Sequence, residues 1–223
     1  TMAKAENAVP APAVRRLSLY LRQLEAFQSN NLQTVSSKQL GQALSLSDAQ
    51  VRKDLAYFGQ FGHPGVGYRV AELIDRLRQI LGTDRKTTAL LVGLGNLGHA
   101  LMQYRGFNKK NFEIVAAFDK DPAKVGQAIL DHPTMTIQPM TDMRETVNRL
   151  GIKLGLICVP AEVAQDVTDM MIAAGVRGIL NFAPVSLQVG PDVVMFSVDL
   201  AVQLEQLAFQ LSAMQNRQAE ETD

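Results

Sequence analysis

Apolar residues recur every three or four positions from Val14 through Leu17, Leu21, Leu24 and Phe27, a spacing that predicts an amphipathic helix over residues 13–28. Pro12 suits the opening of that helix, and Arg15, Arg16 and Arg22 fall on its other sides. Ser36 followed three residues later by Gln39 forms a capping box that opens a short helix through Leu44. Ser47 and Gln50 repeat the spacing after the Ser45-Leu46 turn and open a third helix to about Phe58. On a helical wheel Val51, Leu55 and Phe58 share one face, while Ala49, Lys53, Ala56 and Tyr57 lie opposite, flanked by Gln50 and Arg52. Three helices with this tight second turn predict a helix-turn-helix. Four glycines and a proline around Phe61, Val66 and Tyr68 in residues 59–69 predict a tight β-hairpin, the wing of a winged helix. A connecting helix over Ala71 to Leu81 and a linker at residues 82–86 close this module.

From residue 87 the pattern changes. Short β-rich apolar runs at Thr88–Val92, Phe112–Phe118, Leu154–Val159, Gly178–Asn181 and Val193–Ser197 alternate with helical stretches at Asp142–Leu150 and Glu162–Ala174. That alternation predicts a Rossmann-type doubly wound parallel sheet over residues 87–197. A last helix follows over residues 198–214. Residues 1–12 and 215–223 carry no such pattern and are expected to be disordered.

The first of these strands runs into Gly93-Leu94-Gly95-Asn96-Leu97-Gly98. Gly93 allows the tight turn, Gly95 lets the backbone approach a pyrophosphate, and Gly98 lets the next helix lie close to the strand. The second strand ends in Asp119, where a carboxylate accepts bonds from both ribose hydroxyls of an adenosine and repels a 2′-phosphate. NAD(H) is therefore expected over NADP(H), with the following Lys120 softening the preference. Val159, Pro160, Asn181, Phe182, Ala183 and Pro184 stand at the carboxyl ends of later strands, where a nicotinamide half would rest.

Charge sharpens the division. The net charge is zero, yet residues 1–86 carry 12 Lys/Arg against 7 Asp/Glu, and residues 87–223 carry 10 against 15. A basic front suits an anionic partner, and a helix bearing small residues, cations, an amide and a phenol suits a major groove. The candidate DNA contacts are Arg16, Ser47, Gln50, Arg52, Lys53 and Tyr57, with Phe61, Gly62, His63 and Gly65 in the wing. One cysteine, Cys158, excludes an internal disulfide and a multi-cysteine metal site, and within a Leu-Ile-Cys-Val run it is expected to be buried and inert. No apolar run has membrane-spanning length, and residues 1–12 lack the basic and apolar regions of a secretion signal, so cytoplasmic residence is expected.

A dehydrogenase needs a substrate pocket and a proton donor beside the nicotinamide. After the last strand only one helix and a tail remain, and His63, His99 and His132 are not placed as a general acid. The cofactor reads as a signal. Two alternatives stay open: an NAD-dependent oxidoreductase or CoA-type nucleotide-binding subunit that uses the winged helix for assembly, and a constitutive DNA-binding protein with a degenerate pocket.

From about residue 14 to 212 the chain resembles the family of redox-sensing transcriptional repressors called Rex. The similarity is carried by Tyr20-Leu21-Arg22, Val35-Ser36-Ser37, Gln50 through Leu55, Tyr57-Phe58-Gly59, Gly65-Val66-Gly67-Tyr68, the Gly93–Gly98 loop, and Gly178 through Pro184. The resemblance implies a homodimer that binds a palindromic operator when NADH is scarce and releases it when NADH rises. It also implies that Arg52, Lys53 and Tyr57 read DNA, that Arg22, Tyr104 and Asp199 form a redox switch, and that the last helix is a swapped dimerisation helix. Val202, Leu204, Leu207, Ala208 and Leu211 are that helix's apolar positions. Pro64 stands where the family's wing tip carries a basic residue, and Leu200 where some relatives carry an aromatic ring.

Overall fold

The structure, a computed structural model, describes residues 10–62, 66–130 and 132–220. The chain divides into two units, the first ending at Lys86 and the second opening at Thr87.

The first unit contains α1 (Ala11–Ser29), β1 (Thr34–Val35), α2 (Ser37–Ala43), α3 (Asp48–Ala56), β2 (Tyr68–Arg69) and α4 (Val70–Leu81). Helix α1 starts at Ala11 behind Pro10, so residues 10–12 are ordered, contrary to expectation, while residues 1–9 lie outside the described residues. Its buried stripe is Ala13, Leu17, Tyr20, Leu21 and Leu24; Val14 is 41% exposed. The stripe therefore turns one residue from the predicted face and carries a tyrosine into the core. The Ser36 box closes as expected: Gln39 N donates to Ser36 Oγ at 3.1 Å and Ser36 N donates to Gln39 Oε1 at 2.9 Å. The second box closes only halfway. Gln50 N donates to Ser47 Oγ at 3.1 Å, but the Gln50 side chain turns away to Asp54.

The wing also differs from expectation. Tyr68–Arg69 pairs antiparallel with Thr34–Val35 rather than with residues 59–62, and sequence reasoning gave no strand at Thr34–Val35. Gly67 makes the pairing possible: at φ +87° it passes so near β1 that a Cβ would lie 2.6 Å from the Val35 carbonyl oxygen. His63, Pro64 and Gly65 lie outside the described residues.

The second unit holds β3 (Thr87–Val92), α5 (Asn96–Met102), α6 (Arg105–Asn108), β4 (Phe112–Asp119), β5 (Ala128–Ile129), β6 (His132–Pro139), a 3-10 turn at Met140–Asp142, α7 (Met143–Leu150), β7 (Leu154–Ile157), α8 (Ala161–Ala174), β8 (Gly178–Asn181), β9 (Val194–Ser197) and α9 (Leu200–Glu220). The strands order as β5-β6-β4-β3-β7-β8-β9, parallel except for β5 on β6. Alternation of side chains sends Leu90, Val92, Ala116, Phe118, Ile157 and Ile179 into one core with α7 and α8. Ala89, Leu91, Ile114, Ala117 and Leu156 form the other with Leu101 and Met102 of α5 and Phe107 of α6.

That second face runs out of cover at its far edge. Val194 and Phe196 of β9 are 62% and 67% exposed, and an apolar cavity of about 740 Å³ there is lined by Tyr104, Phe107, Leu154, Leu180, Val194 and Phe196. Helix α9 exposes Leu204, Leu207, Phe209, Leu211 and Met214. It starts at Leu200 and continues through Glu220, so residues 215–220, expected to be disordered, are helical; residues 221–223 lie outside the described residues. No helix among the described residues is long and apolar enough to cross a membrane.

Candidate functional site

Two regions carry the sequence-derived candidates, one in each unit. In the first, α3 presents Ala49, Arg52, Lys53, Ala56 and Tyr57 to solvent while Val51 and Leu55 are buried. A cavity of about 620 Å³ opens between its C-terminal half and residues 59–62 and 66–68 and brings Arg52, Ala56, Phe61 and Gly62 together with Ser36 and Ser37. Arg52 Nη1 donates to Asp48 Oδ2 at 2.7 Å and to Ser37 Oγ at 3.1 Å, which aims the guanidinium along the helix surface.

Sequence reasoning missed what holds α3 in place. Asp54 is fully buried, and its carboxylate accepts from Arg16 Nη2 at 2.7 Å and from Arg16 Nε, from Tyr20 Oη at 2.7 Å and from Gln50 Nε2 at 2.8 Å. Burial pushes this carboxyl up, but the hydrogen bonds from Arg16, Tyr20 and Gln50 outweigh burial and hold it below the ordinary carboxylate range. The hydrogen bond to Asp54 raises Arg16 in turn, and burial raises Tyr20. Of the candidate DNA contacts, Arg16 is thus committed to an internal ion pair, Ser47 to a helix cap and Gln50 to Asp54. Arg52, Lys53 and Tyr57 keep exposed side chains.

In the second unit the β3–α5 turn opens on a cavity of about 650 Å³. Gly93, at φ +95°, passes so close to β7's end that a Cβ would lie 2.6 Å from the Cys158 carbonyl oxygen, whereas a Cβ on Gly95 would meet nothing within 4 Å. The chain is therefore packed tightly beneath the turn and open above it. Among the expected residues Gly93, Gly95, Asn96, Leu97, Asp119, Lys120, Val159, Pro160 and Phe182 line this cavity. Leu94 and Gly98 are buried beneath the turn.

Asn181, Ala183 and Pro184 do not line it. Asn181 is fully buried and its amide donates to the carbonyls of Ala183 and Val185, both at 3.1 Å, while accepting from Ala183 N at 2.8 Å. It ties the chain leaving β8, of which only Phe182 reaches the cavity wall.

Asp119 Oδ2 accepts from Leu94 N at 2.8 Å and from Lys124 Nζ at 3.1 Å, and its Oδ1 accepts from Asp121 N at 2.9 Å. Burial acts to raise this carboxyl, and the Asp121 and Leu94 amides with Lys124 more than offset it, so the group sits below its usual range. Lys124 also lines the cavity and was not foreseen, nor were Met140 at the 3-10 turn and Val163, Asp166 and Met170, which extend the wall along α8. The arrangement can hold a vicinal diol at Asp119, a diphosphate over Gly95 and a flat apolar ring against Met140 and α8.

Cys158 lines the same cavity and is half-buried, not fully buried as expected; burial nonetheless pushes its thiol up to about 12, which agrees with the expected inertness. His99 Nδ1 donates to the Gly95 carbonyl at 3.0 Å and His132 Nε2 to the Met102 carbonyl at 3.1 Å. Among the described residues no group of His, Cys, Asp and Glu could hold a metal ion.

Residues 8–56 match the family model described as putative DNA-binding protein N-terminus, and residues 84–185 match the CoA binding domain. The redox-sensing transcriptional repressor Rex of Carboxydothermus hydrogenoformans is 45% identical over 203 residues, covering 91% of this chain and 96% of the relative. Rex of Brevibacillus brevis is 44% identical over 211 residues, covering 95% and 100%. The chain belongs to the Rex family. Among solved structures, RSP, a Rex-family repressor, in complex with β-NAD+ and operator DNA matches with a TM-score of 0.88 at 32% identity, covering 97% of this chain and 99% of that one. RSP in complex with β-NADH matches at 0.84 and 31%, covering 96% and 99%. Likeness to Rex over nearly the whole chain agrees with a winged helix-turn-helix joined to a Rossmann-type sheet.

The residues that resemblance to Rex assigned to a switch are divided between the two units. Arg22 is exposed on α1. Tyr104 is 57% exposed; its ring meets Phe107 edge-on, centroids 5.0 Å apart at 85°, and lies over Gly106. Asp199 caps α9, its Oδ1 accepting from Ala201 N at 2.9 Å and Val202 N at 3.2 Å.

Proposed function

We propose that this chain is an NADH-responsive transcriptional repressor that binds palindromic operator DNA as a homodimer and leaves it when NADH rises. The observation that carries this reading is the identity with Rex repressors over nine-tenths of the chain, together with the RSP complexes, one with β-NAD+ and operator DNA and one with β-NADH. In it Arg52, Lys53 and Tyr57 contact DNA, with Phe61 and Gly62 beside them, and the Gly95 cradle, Asp119 and Lys124 hold the adenosine diphosphate half of the dinucleotide. The apolar surfaces of α9 and of β9 support a second copy as the dimer partner. The chain acts as a regulator in the cytoplasm, without turnover of the cofactor.

Bound NAD+ and NADH differ at the nicotinamide ring, where hydride removes a positive charge. Gly93–Gly98 and Asp119 meet the shared half of both forms and cannot tell them apart. Only differential binding at the nicotinamide end shifts the equilibrium, and a roughly 100-fold preference corresponds to about 2.7 kcal/mol. The test is fluorescence anisotropy of a labelled palindromic duplex, selected by the protein from a randomised pool, with NADH titrated against a fixed excess of NAD+ at stated salt. Release at micromolar NADH is expected; binding indifferent to NADH overturns the redox reading.

Two variants separate the halves of this function. Lys53→Ala, which removes one cation from each protomer, is expected to weaken operator binding about tenfold or more and to reduce the salt slope by about two, leaving NADH affinity unchanged in calorimetric titration. Asp119→Ala removes the acceptor of the Leu94 amide and Lys124. It is expected to lower NADH affinity about 10- to 100-fold and to narrow the preference for NADH over NADPH, both read by the same titration.

A further inference from the structure

The operator-binding reading leaves open how the first turns of α3 read sequence, and the buried carboxylate on that helix bears on it. Gln50 is the third residue of α3, at the end of a recognition helix that meets base edges. Its amide lies 2.8 Å from Asp54 Oδ1. An ionised carboxylate only accepts, so the atom facing it is the amide nitrogen, which leaves the amide oxygen facing away. Asp54 cannot turn to accommodate the reverse arrangement, because both of its oxygens are also held by Arg16 and one by Tyr20 from α1.

Resting on that reading, we propose that Asp54 is a positioning residue that fixes Gln50 with its amide oxygen outward, so that Gln50 reads an amino donor in the major groove rather than the paired donor and acceptor of adenine. The major groove offers such a donor at adenine N6 and at cytosine N4, while guanine and thymine present acceptors on the same strand. The bidentate adenine contact needs amide oxygen and nitrogen side by side toward the base, and here the nitrogen is spent on Asp54. Gln50 therefore accepts adenine or cytosine at one position of each half-site and rejects guanine and thymine there.

The experiment uses the full-length protein, a duplex selected from a randomised pool, and its complete set of symmetric single-base variants, read by anisotropy. Wild type is expected to favour A and C over G and T at one position by about 30-fold, twice the lower end of a single-mismatch cost because a symmetric variant changes both half-sites. Gln50→Ala is expected to lose that preference alone. Gln50→Glu, which offers only acceptors, keeps it at lower overall affinity, and Asp54→Asn, which lets the amide turn over, loses it. Selection of adenine alone, an unchanged preference in Gln50→Ala, or a preference inverted in Gln50→Glu overturns the proposal. A folded Asp54→Asn protein with wild-type preference overturns it as well. If Asp54→Asn does not melt cooperatively, the two Gln50 variants decide. Wild type that binds no duplex overturns the operator reading and this proposal together; wild type that binds while Gln50→Ala changes nothing overturns this proposal only.

Discussion

Gly95→Val is expected to abolish the response to NADH while leaving the fold and operator binding intact. The basis is the contrast within one turn. A side chain on Gly95 meets no protein atom within 4 Å, and its backbone, at φ −83°, suits any L-residue. The new atoms would stand in the space a diphosphate must enter. NADH affinity should fall on the order of 100-fold or more, about 2.7 kcal/mol, with thermal stability within about 1 kcal/mol of wild type. Gly93→Val and Gly98→Val should behave oppositely, melting early, because one forces a β-branched residue to φ +95° against the Cys158 carbonyl and the other drives a Cβ onto the Gly93 carbonyl. Calorimetric titration and thermal melts of the three proteins check the pattern; equal loss of stability in all three would show that the turn has no open side.

Asp54→Ala is expected to be the most damaging single change in the DNA-binding unit. It leaves the buried Tyr20 hydroxyl and the partly exposed Arg16 guanidinium without their acceptor, and an unsatisfied buried polar group costs about 1–3 kcal/mol. Hydrogen exchange at amides of α1 and α3 should accelerate accordingly, and operator binding should be lost while NADH affinity persists. The pH dependence follows from direction. The folded carboxyl lies below its ordinary value of 3.8, so its contribution is present above that pH and disappears as pH falls through the lower folded value. Exchange protection of these helices should therefore drop in acid below about pH 4, and Asp54→Asn should flatten that drop.

Much of this was legible in the sequence because the signals were local. Ser36 with Gln39, the apolar run ending at Val92, and the three glycines after it each specify geometry within a few residues. The acidic residue at the end of β4 was legible for the same reason. What stayed hidden depended on distant neighbours. Strand β5 is only two residues long, and β6 carries two prolines and few apolar residues and meets β4 over only Ile137–Pro139, so no periodicity announces them. Lys124 reaches Asp119 from five residues on, through a turn whose shape the sequence does not spell out. Asp54 had a usable clue: three positions after Val51 and one before Leu55, it falls beside the buried stripe, where an acid demands a partner. The length of α9 was missed because its apolar repeat fades after Met214 while the backbone stays helical.

Cys158 lends the chain a last property. The residue lines the cavity while its side chain packs against the core under α5, and burial holds the thiol protonated, a form that neither attacks peroxides nor exchanges with disulfides at neutral pH. Under the proposed function, Cys158 therefore does not serve as an oxidant sensor. The signal is carried by an exchangeable ligand, so derepression ends as soon as the cellular nicotinamide ratio recovers, with no repair enzyme required to reset it.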